Sequence, residues 1–203
     1  EGPRRKFSRG FGGQVSPPSP FCIAVLRAPF VSFAASWCAV HSRPRDLRYC
    51  CTVSSLVIQT SFLGDTILTT PLLAELAARE AVDVVVTPEG AAILRGHPAV
   101  RALIDYDKRG VDAGIGGLHR LSRRLRDGGY SAVYLAQGSL RSAMLALAAR
   151  IPRRIGFDTS DGRALYSTRV RYRRDAHHAE RLWRLAAGDG AASPAADVLR
   201  PRM

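Results

Sequence analysis

From residue 54 onward the chain moves between two rhythms of apolar and polar positions. Short apolar runs recur at "SSLVIQT" (54–60), "VDVVVTP" (82–88), "VRALIDY" (100–106), "SAVYLA" (131–136) and "RRIGF" (153–157). Their length and β-branched content suit strands buried on both faces. Between them the apolar residues take helical spacing. Ile67, Leu68, Leu72, Leu73 and Leu76 predict a helix over 65–79. A short helix is expected in "GAAILRG". "GGLHRLSRRLRDGGY" places Leu118, Leu121 and Leu125 on one face and stops at a Gly-Gly pair. "SLRSAMLALAAR" predicts a helix opened by an N-cap at Ser139, and "HHAERLWRLAAG" a last helix closed by Gly188. Strands alternating with helices of this length predict right-handed βαβ units, and so an α/β, Rossmann-like parallel sheet.

The first 52 residues do not share this rhythm. "EGPRRKFSRGFGGQVSPPSP" is basic and rich in Gly, Pro and Ser, the composition of disorder. The apolar stretch after it is interrupted by Arg27 and Pro29, which argues against a membrane span. The chain starts with Glu rather than Met. Residues 1–52 are therefore expected to be a disordered or non-native extension, 53–188 the folded domain, and 189–203 a linker or ragged end.

Charge refines the picture. The net charge of +13 rests on 28 Arg and only 2 Lys, a skew that a GC-rich genome produces through codon supply. It divides into 8 basic against 2 acidic residues before residue 53 and 22 against 15 after it. The body is thus moderately basic, suited to an anionic ligand or membrane surface. Aromatic residues are 7% of the chain and do not interleave with basic ones in the body, which argues against nucleic-acid stacking. All four cysteines, Cys22, Cys38, Cys50 and Cys51, precede the body, and neither C-x-x-C nor zinc spacing is present. No cofactor or metal is expected.

The candidate chemistry centres on "SFLGDTILTTP". In an open α/β sheet ligands sit beyond the carboxyl ends of the strands, and Asp65 follows the first strand directly. Two roles fit it: a cap for the free N–H groups of the next helix, or a carboxylate base for a substrate hydroxyl. Gly64 is expected to allow a tight turn and to keep bulk away from a ligand. The loop lacks G-x-G-x-x-G, and Walker A is absent, which excludes dinucleotide and P-loop readings. His177 and His178 read as a solvated helix start. Arg120, Arg123, Arg124 and Arg126 read as a solvated face, or as one that meets anionic headgroups or phosphorylated sugar.

The order of "LVIQTSFLGDTILTTPLLAEL", "VDVVVTPEGAAIL", "HPAVRALIDYDKRG" and "GGYSAVYLAQGSLRSAMLALAARIPRRIGFD" resembles the N-terminal half of the lipopolysaccharide heptosyltransferases, glycosyltransferase family 9, over about residues 55–185. The resemblance includes Pro71 and the "IPRRIGF" stretch. It implies the N-terminal domain of a GT-B glycosyltransferase, which binds the lipid A–Kdo acceptor and inverts the anomeric centre without a metal. The ADP-heptose donor would bind a C-terminal domain with no counterpart here, so this chain alone is expected to be inactive. Asp65 matches the family's general base, and Ser61 and Gly64 its loop. Ser139 and Arg141 match a polar pair near the acceptor. Arg153 and Arg154 match basic positions that are structural or steer the acceptor. The implied location is cytoplasmic and peripheral on the anionic inner membrane. Two alternatives are another GT-B enzyme of cell-surface glycans, and a non-catalytic basic module for membrane or nucleic acid.

Overall fold

A computed structural model of the protein describes residues 54–201, and the readings of the 1–52 segment and of the four cysteines lie outside the described residues. The expected strands form as β1 (Ser54–Gln59), β2 (Ala81–Val86), β3 (Ala102–Asp105), β4 (Ala132–Leu135) and β5 (Arg153–Phe157). A sixth strand, β6 (Thr168–Val170), was not visible in the pattern. Every pairing is parallel, in the order β3-β2-β1-β4-β5-β6. The α/β, Rossmann-like expectation holds.

The helices are α1 (Leu63–Leu68), α2 (Thr70–Ala77), α3 (Pro88–Leu94), α4 (Gly114–Asp127), α5 (Leu140–Ala148) and α6 (His178–Ala187), with a short 3-10 turn at Arg163–Leu165. Successive residues of a strand face opposite sides, and each side has its own core. Val57, Val84 and Ile155 meet α2, α3 and α6 through Leu72, Leu73, Leu76, Leu94, Leu182 and Leu185. Leu56, Ile58 and Val133 meet α4 and α5 through Leu121, Leu125, Ala143 and Ala146. The crossover changes side after β3, where the chain returns to lay β4 beside β1. That makes the β1/β4 boundary the topological switch point, where a cleft opens at the carboxyl edge.

The single helix expected over 65–79 is two. Pro71 has no N–H to give to the carbonyl of Ile67, and Thr70 Oγ1 donates to that oxygen instead at 2.8 Å. Thr66 and Thr69 also bond back to carbonyls four residues earlier, at 3.3 and 2.7 Å, a pattern that bends helices. The break lets Pro71 sit in the first turn of α2.

At the opposite, amino edge of the sheet a buried carboxylate is fully engaged. Arg101 grips Asp83 with two bonds of 2.8 and 2.7 Å, and Tyr130 donates its hydroxyl at 2.7 Å. Burial first, and then the bond to Asp83, raise the Tyr130 pKa well above the ordinary phenol range. Arg154 is likewise structural: it donates to the carbonyls of Leu165 and Ile151, both at 2.7 Å. Residues past α6 do not hang free, because the buried Arg184 donates to Ala191 O and Ser193 Oγ, both at 3.0 Å.

Candidate functional site

A cleft of about 390 Å³ opens at the switch point. Gln59 at the end of β1, Ser61 just after it, Gln137 and Gly138 after β4, and Ser160 and Asp161 after β5 line it. Asp65 and His178 stand at its wall. The loops after β4 and β5 approach closely: a Cβ on Gly138 would lie 2.5 Å from Ser160 Oγ, so only glycine fits there. A second cleft of about 330 Å³ shares Ser61 and Gln137 and extends past Thr87 after β2 and past Tyr106, Lys108 and Arg109 after β3.

Asp65 is not the cap. The N-cap of α1 is Phe62, which has extended backbone and makes no side-chain cap bond. Asp65 is the third residue of the helix, where a negative charge still suits the dipole. Its carboxylate turns to the cleft, with Oδ2 2.8 Å from the Ser61 hydroxyl. That hydroxyl also lies 2.9 Å from Gln59 Oε1, but it has one proton, and the carboxylate is the stronger acceptor. Gln59, fully buried, holds the arrangement from beneath. Its amide donates to Asp65 O at 3.2 Å and to Thr69 Oγ1 at 3.0 Å, which fixes α1 against the end of β1.

Gly64 departs from its expected role as well. It is helical, lies outside the left-handed region, and a Cβ on it would meet nothing within 4 Å. No tight turn depends on it, and the space beside it is open.

His178 was read as a solvated helix start, but it is half-buried against Asp65. Its Nε2 lies 3.7 Å from Asp65 Oδ1, with the two side chains 30% and 37% exposed. On the other side of the ring, Nδ1 faces Arg181 Nη2 at 3.4 Å. A guanidinium can only donate, so Nδ1 is the acceptor and the neutral ring carries its proton on Nε2, facing Asp65. Burial lowers the His178 pKa, Asp65 pulls it back up, and Arg181 and His177 lower it further; the net direction is down. His177, beside it, is the N-cap of α6, accepting from the Ala179 amide at 3.3 Å.

The lowered pKa gives a stability prediction. Above the unfolded-state pKa of about 6.5 His178 is neutral in both states and contributes no pH dependence. Below it the unfolded chain takes up the proton more readily, so stability falls as pH drops from 6.5 toward the folded pKa. His178→Gln should flatten that part of the slope, read from denaturation midpoints at pH 7.5 and 5.5. An unchanged slope would show that other groups carry it.

The remaining candidates lie behind the cleft. Ser139 caps α5, as expected from the sequence, accepting from the Ser142 amide at 3.2 Å. Arg141 donates Nε to Tyr106 Oη at 2.7 Å and Nη2 to the carbonyls of Asp112 and Gly114, both at 3.1 Å. It braces the wall of the second cleft. Lys108, overlooked in the sequence, points into that cleft and donates to Thr60 O. Partial burial lowers its pKa, with Arg109 and Arg141 adding to the effect. Among the described residues no three or more His, Cys, Asp or Glu side chains converge as a metal site would require. Nor, among these residues, is any helix long and apolar enough to cross a membrane.

Residues 118–195 match the model of glycosyltransferase family 9 (heptosyltransferase). Among solved structures, E. coli ADP-heptose LPS heptosyltransferase II is similar with a TM-score of 0.59 and 28% identity, over 68% of this chain and 41% of that one. The E. coli heptosyltransferase WaaC with ADP-2-deoxy-2-fluoro heptose gives 0.57 and 26%, over 70% and 50%. A family 9 glycosyl transferase from Veillonella parvula, 23% identical over 68% and 42% with a TM-score of 0.61, is similar in fold alone. No curated protein sequence matches this one. The chain spans half or less of the length of these solved relatives.

Proposed function

We propose that residues 53–188 are the acceptor-side domain of an inverting GT-B glycosyltransferase, a reading supported by the match of residues 118–195 to the family 9 model and by the likeness to the two E. coli heptosyltransferases. In this reading heptose passes from ADP-heptose to the lipid A–Kdo inner core. The observation that carries it is the Asp65 carboxylate, set in the switch-point cleft with Ser61 at 2.8 Å. Asp65 takes the proton from an acceptor hydroxyl while that oxygen attacks C1 of the heptose. The C1–oxygen bond to the diphosphate breaks on the opposite face, and ADP leaves. The Ser61 hydroxyl orients one carboxylate oxygen and leaves the other toward the acceptor. His178, with its Nε2 proton facing Asp65, positions the charge without competing for the proton. Ser61 on the loop and Gly64 in the first turn of α1 leave room for the acceptor, while Ser139 and Arg141 shape the neighbouring wall. Lys108 and Arg109 supply positive charge for the anionic Kdo.

The donor in this reading binds a second domain across the cleft, so transfer belongs to a polypeptide carrying both domains. The isolated 203-residue chain is expected to bind acceptor and transfer nothing. The acceptor is anchored in lipid, which places the protein on the cytoplasmic side of the inner membrane, in contact with its anionic surface. The test supplies the two-domain protein with a Kdo-bearing acceptor and, in parallel, ADP-heptose, UDP-sugars and GDP-sugars. Transfer from ADP-heptose alone is expected. Preference for another donor would move the protein to a different GT-B activity, and transfer by the isolated chain would overturn the two-domain requirement.

A further inference from the structure

Five large apolar side chains that the core does not use gather on one side of the molecule. On α5, Leu140, Met144 and Leu147 are 49%, 42% and 46% exposed, while Ala143, Leu145 and Ala146 are buried. Their spacing of four and then three residues puts all three on one helical stripe. Val111 and Ile115, at the start of α4, are 81% and 87% exposed. The two groups are neighbours, because Arg141 in the first turn of α5 bonds the carbonyls of Asp112 and Gly114. At the other end Arg126 of α4 reaches Ala148 O of α5 at 2.6 Å, so the helices run side by side in the same direction.

The surroundings of this patch are basic. Arg109, Arg120, Arg123, Arg126 and Arg150 flank it, all exposed. The acidic groups nearby are Asp107, whose Oδ1 accepts from the Arg109 and Gly110 amides at 3.2 and 2.8 Å, Asp112, which is ion-paired with Arg120 at 3.3 Å, and Asp127 at the end of α4. Scattered apolar residues on a surface need no explanation, but a contiguous stripe flanked by five exposed arginines does. Apolar side chains flanked by arginines are what an anionic bilayer selects: the side chains enter the boundary of the acyl chains and the guanidiniums stay with the headgroups. A protein partner of matching shape would not need the excess of positive charge around the stripe.

We infer that the α5 stripe, with Val111 and Ile115, is the surface on which this domain docks to an anionic lipid bilayer. The inference rests on the membrane contact of the proposed function and gives it a location. α4 and α5 both begin at the carboxyl edge of the sheet, so this docking face borders the cleft that holds Asp65. A lipid-anchored acceptor would thus reach the cleft without leaving the membrane.

The test is flotation of the full chain with phosphatidylcholine vesicles, with and without phosphatidylglycerol. The stripe variant Leu140→Ser/Met144→Ser/Leu147→Ser changes only side chains that already face water, and should bind anionic vesicles about tenfold more weakly. Arg120→Gln/Arg123→Gln should weaken binding roughly fivefold per charge and reduce its salt sensitivity. Residues 1–53 are common to all variants and cancel in the comparison. Equal binding by the stripe variant, or no preference for phosphatidylglycerol, would overturn the inference. So would a stripe variant that loses concentration-dependent self-association but keeps vesicle binding, which would assign the face to a second copy. In the two-domain protein, transfer to a lipid-free acceptor should be unchanged by the stripe variant. If the wild-type protein binds vesicles by this face and transfers no sugar, the catalytic reading fails and the docking face stands.

Discussion

In a two-domain protein of the kind proposed, Asp65→Asn should lower kcat by about 10²–10⁴-fold, the span that a positioned general base contributes. Asparagine keeps the volume and can still accept from Ser61, but it cannot take the acceptor proton. The substitution separates chemistry from folding because Asp65 is not the cap of α1; Phe62 holds that place, without a side-chain bond. What folding loses is the favourable charge in the first turn, about 0.3–1 kcal/mol at a position more than a third exposed. The expected result is therefore a near-normal denaturation midpoint, a KM for acceptor within a few-fold, and a collapsed kcat. Retention of kcat to within tenfold would remove the base role and leave Asp65 as a first-turn charge. A large loss of stability would point to a structural role instead.

β1, β2 and β4 could be read from their apolar runs because a strand buried on both faces has no polar alternation to hide it, while β3 and β5 were legible from short apolar runs although Ala102, Asp105 and Arg153 are exposed. β6 could not: of Thr168, Arg169 and Val170 only the last is buried, and three residues leave no period to follow. The break between α1 and α2 was concealed for a different reason. Leucines keep helical spacing across Thr69 and Thr70, so the pattern runs on while the hydrogen bonds are diverted to threonine hydroxyls. At the site, Ser61 and Asp65 were legible because one lies on the loop that leaves the first strand and the other in the first turn of the helix that follows, where topology alone puts a ligand. His178 was not legible. It reaches Asp65 only because α6 packs along α2, with Trp183 Nε1 donating to Glu75 at 3.1 Å and Arg79 reaching Ala186 O at 3.4 Å. Nothing local to "DAHHAE" announces a contact that the far end of the chain creates. Arg141 shows the converse: a basic residue beside a cleft reads as ligand-facing, yet its bonds to Tyr106, Asp112 and Gly114 turn it inward.

Asp83→Ala should cost about 3 kcal/mol, the largest stability loss expected from any single side chain of the site or its frame. Asp83 is 5% exposed, near the amino end of β2. Removing it takes an acceptor from two partners at once. The guanidinium of Arg101 loses a bidentate acceptor, at a cost of about 3–5 kcal/mol where both charges are buried. That figure is discounted here because the Arg101 side chain is 32% exposed and regains water. The Tyr130 hydroxyl, buried beside it, loses its acceptor for about 1–3 kcal/mol more, part of which a water entering the vacated space restores. On a domain of this size about 3 kcal/mol is a fall in Tm of roughly 6–12 °C. Urea denaturation should show a lower midpoint with an unchanged slope, since the surface exposed on unfolding is the same. A loss below about 1 kcal/mol would mean that Arg101 and Tyr130 find other partners. Distance makes this variant a counterpart to Asp65→Asn. Asp83 sits about 10 Å below the carboxyl end of β2, three residues down the strand from Val86. At a temperature where the variant remains folded, kcat should match the wild type, because the clamp sets the strength of the sheet and not the geometry of the cleft above it.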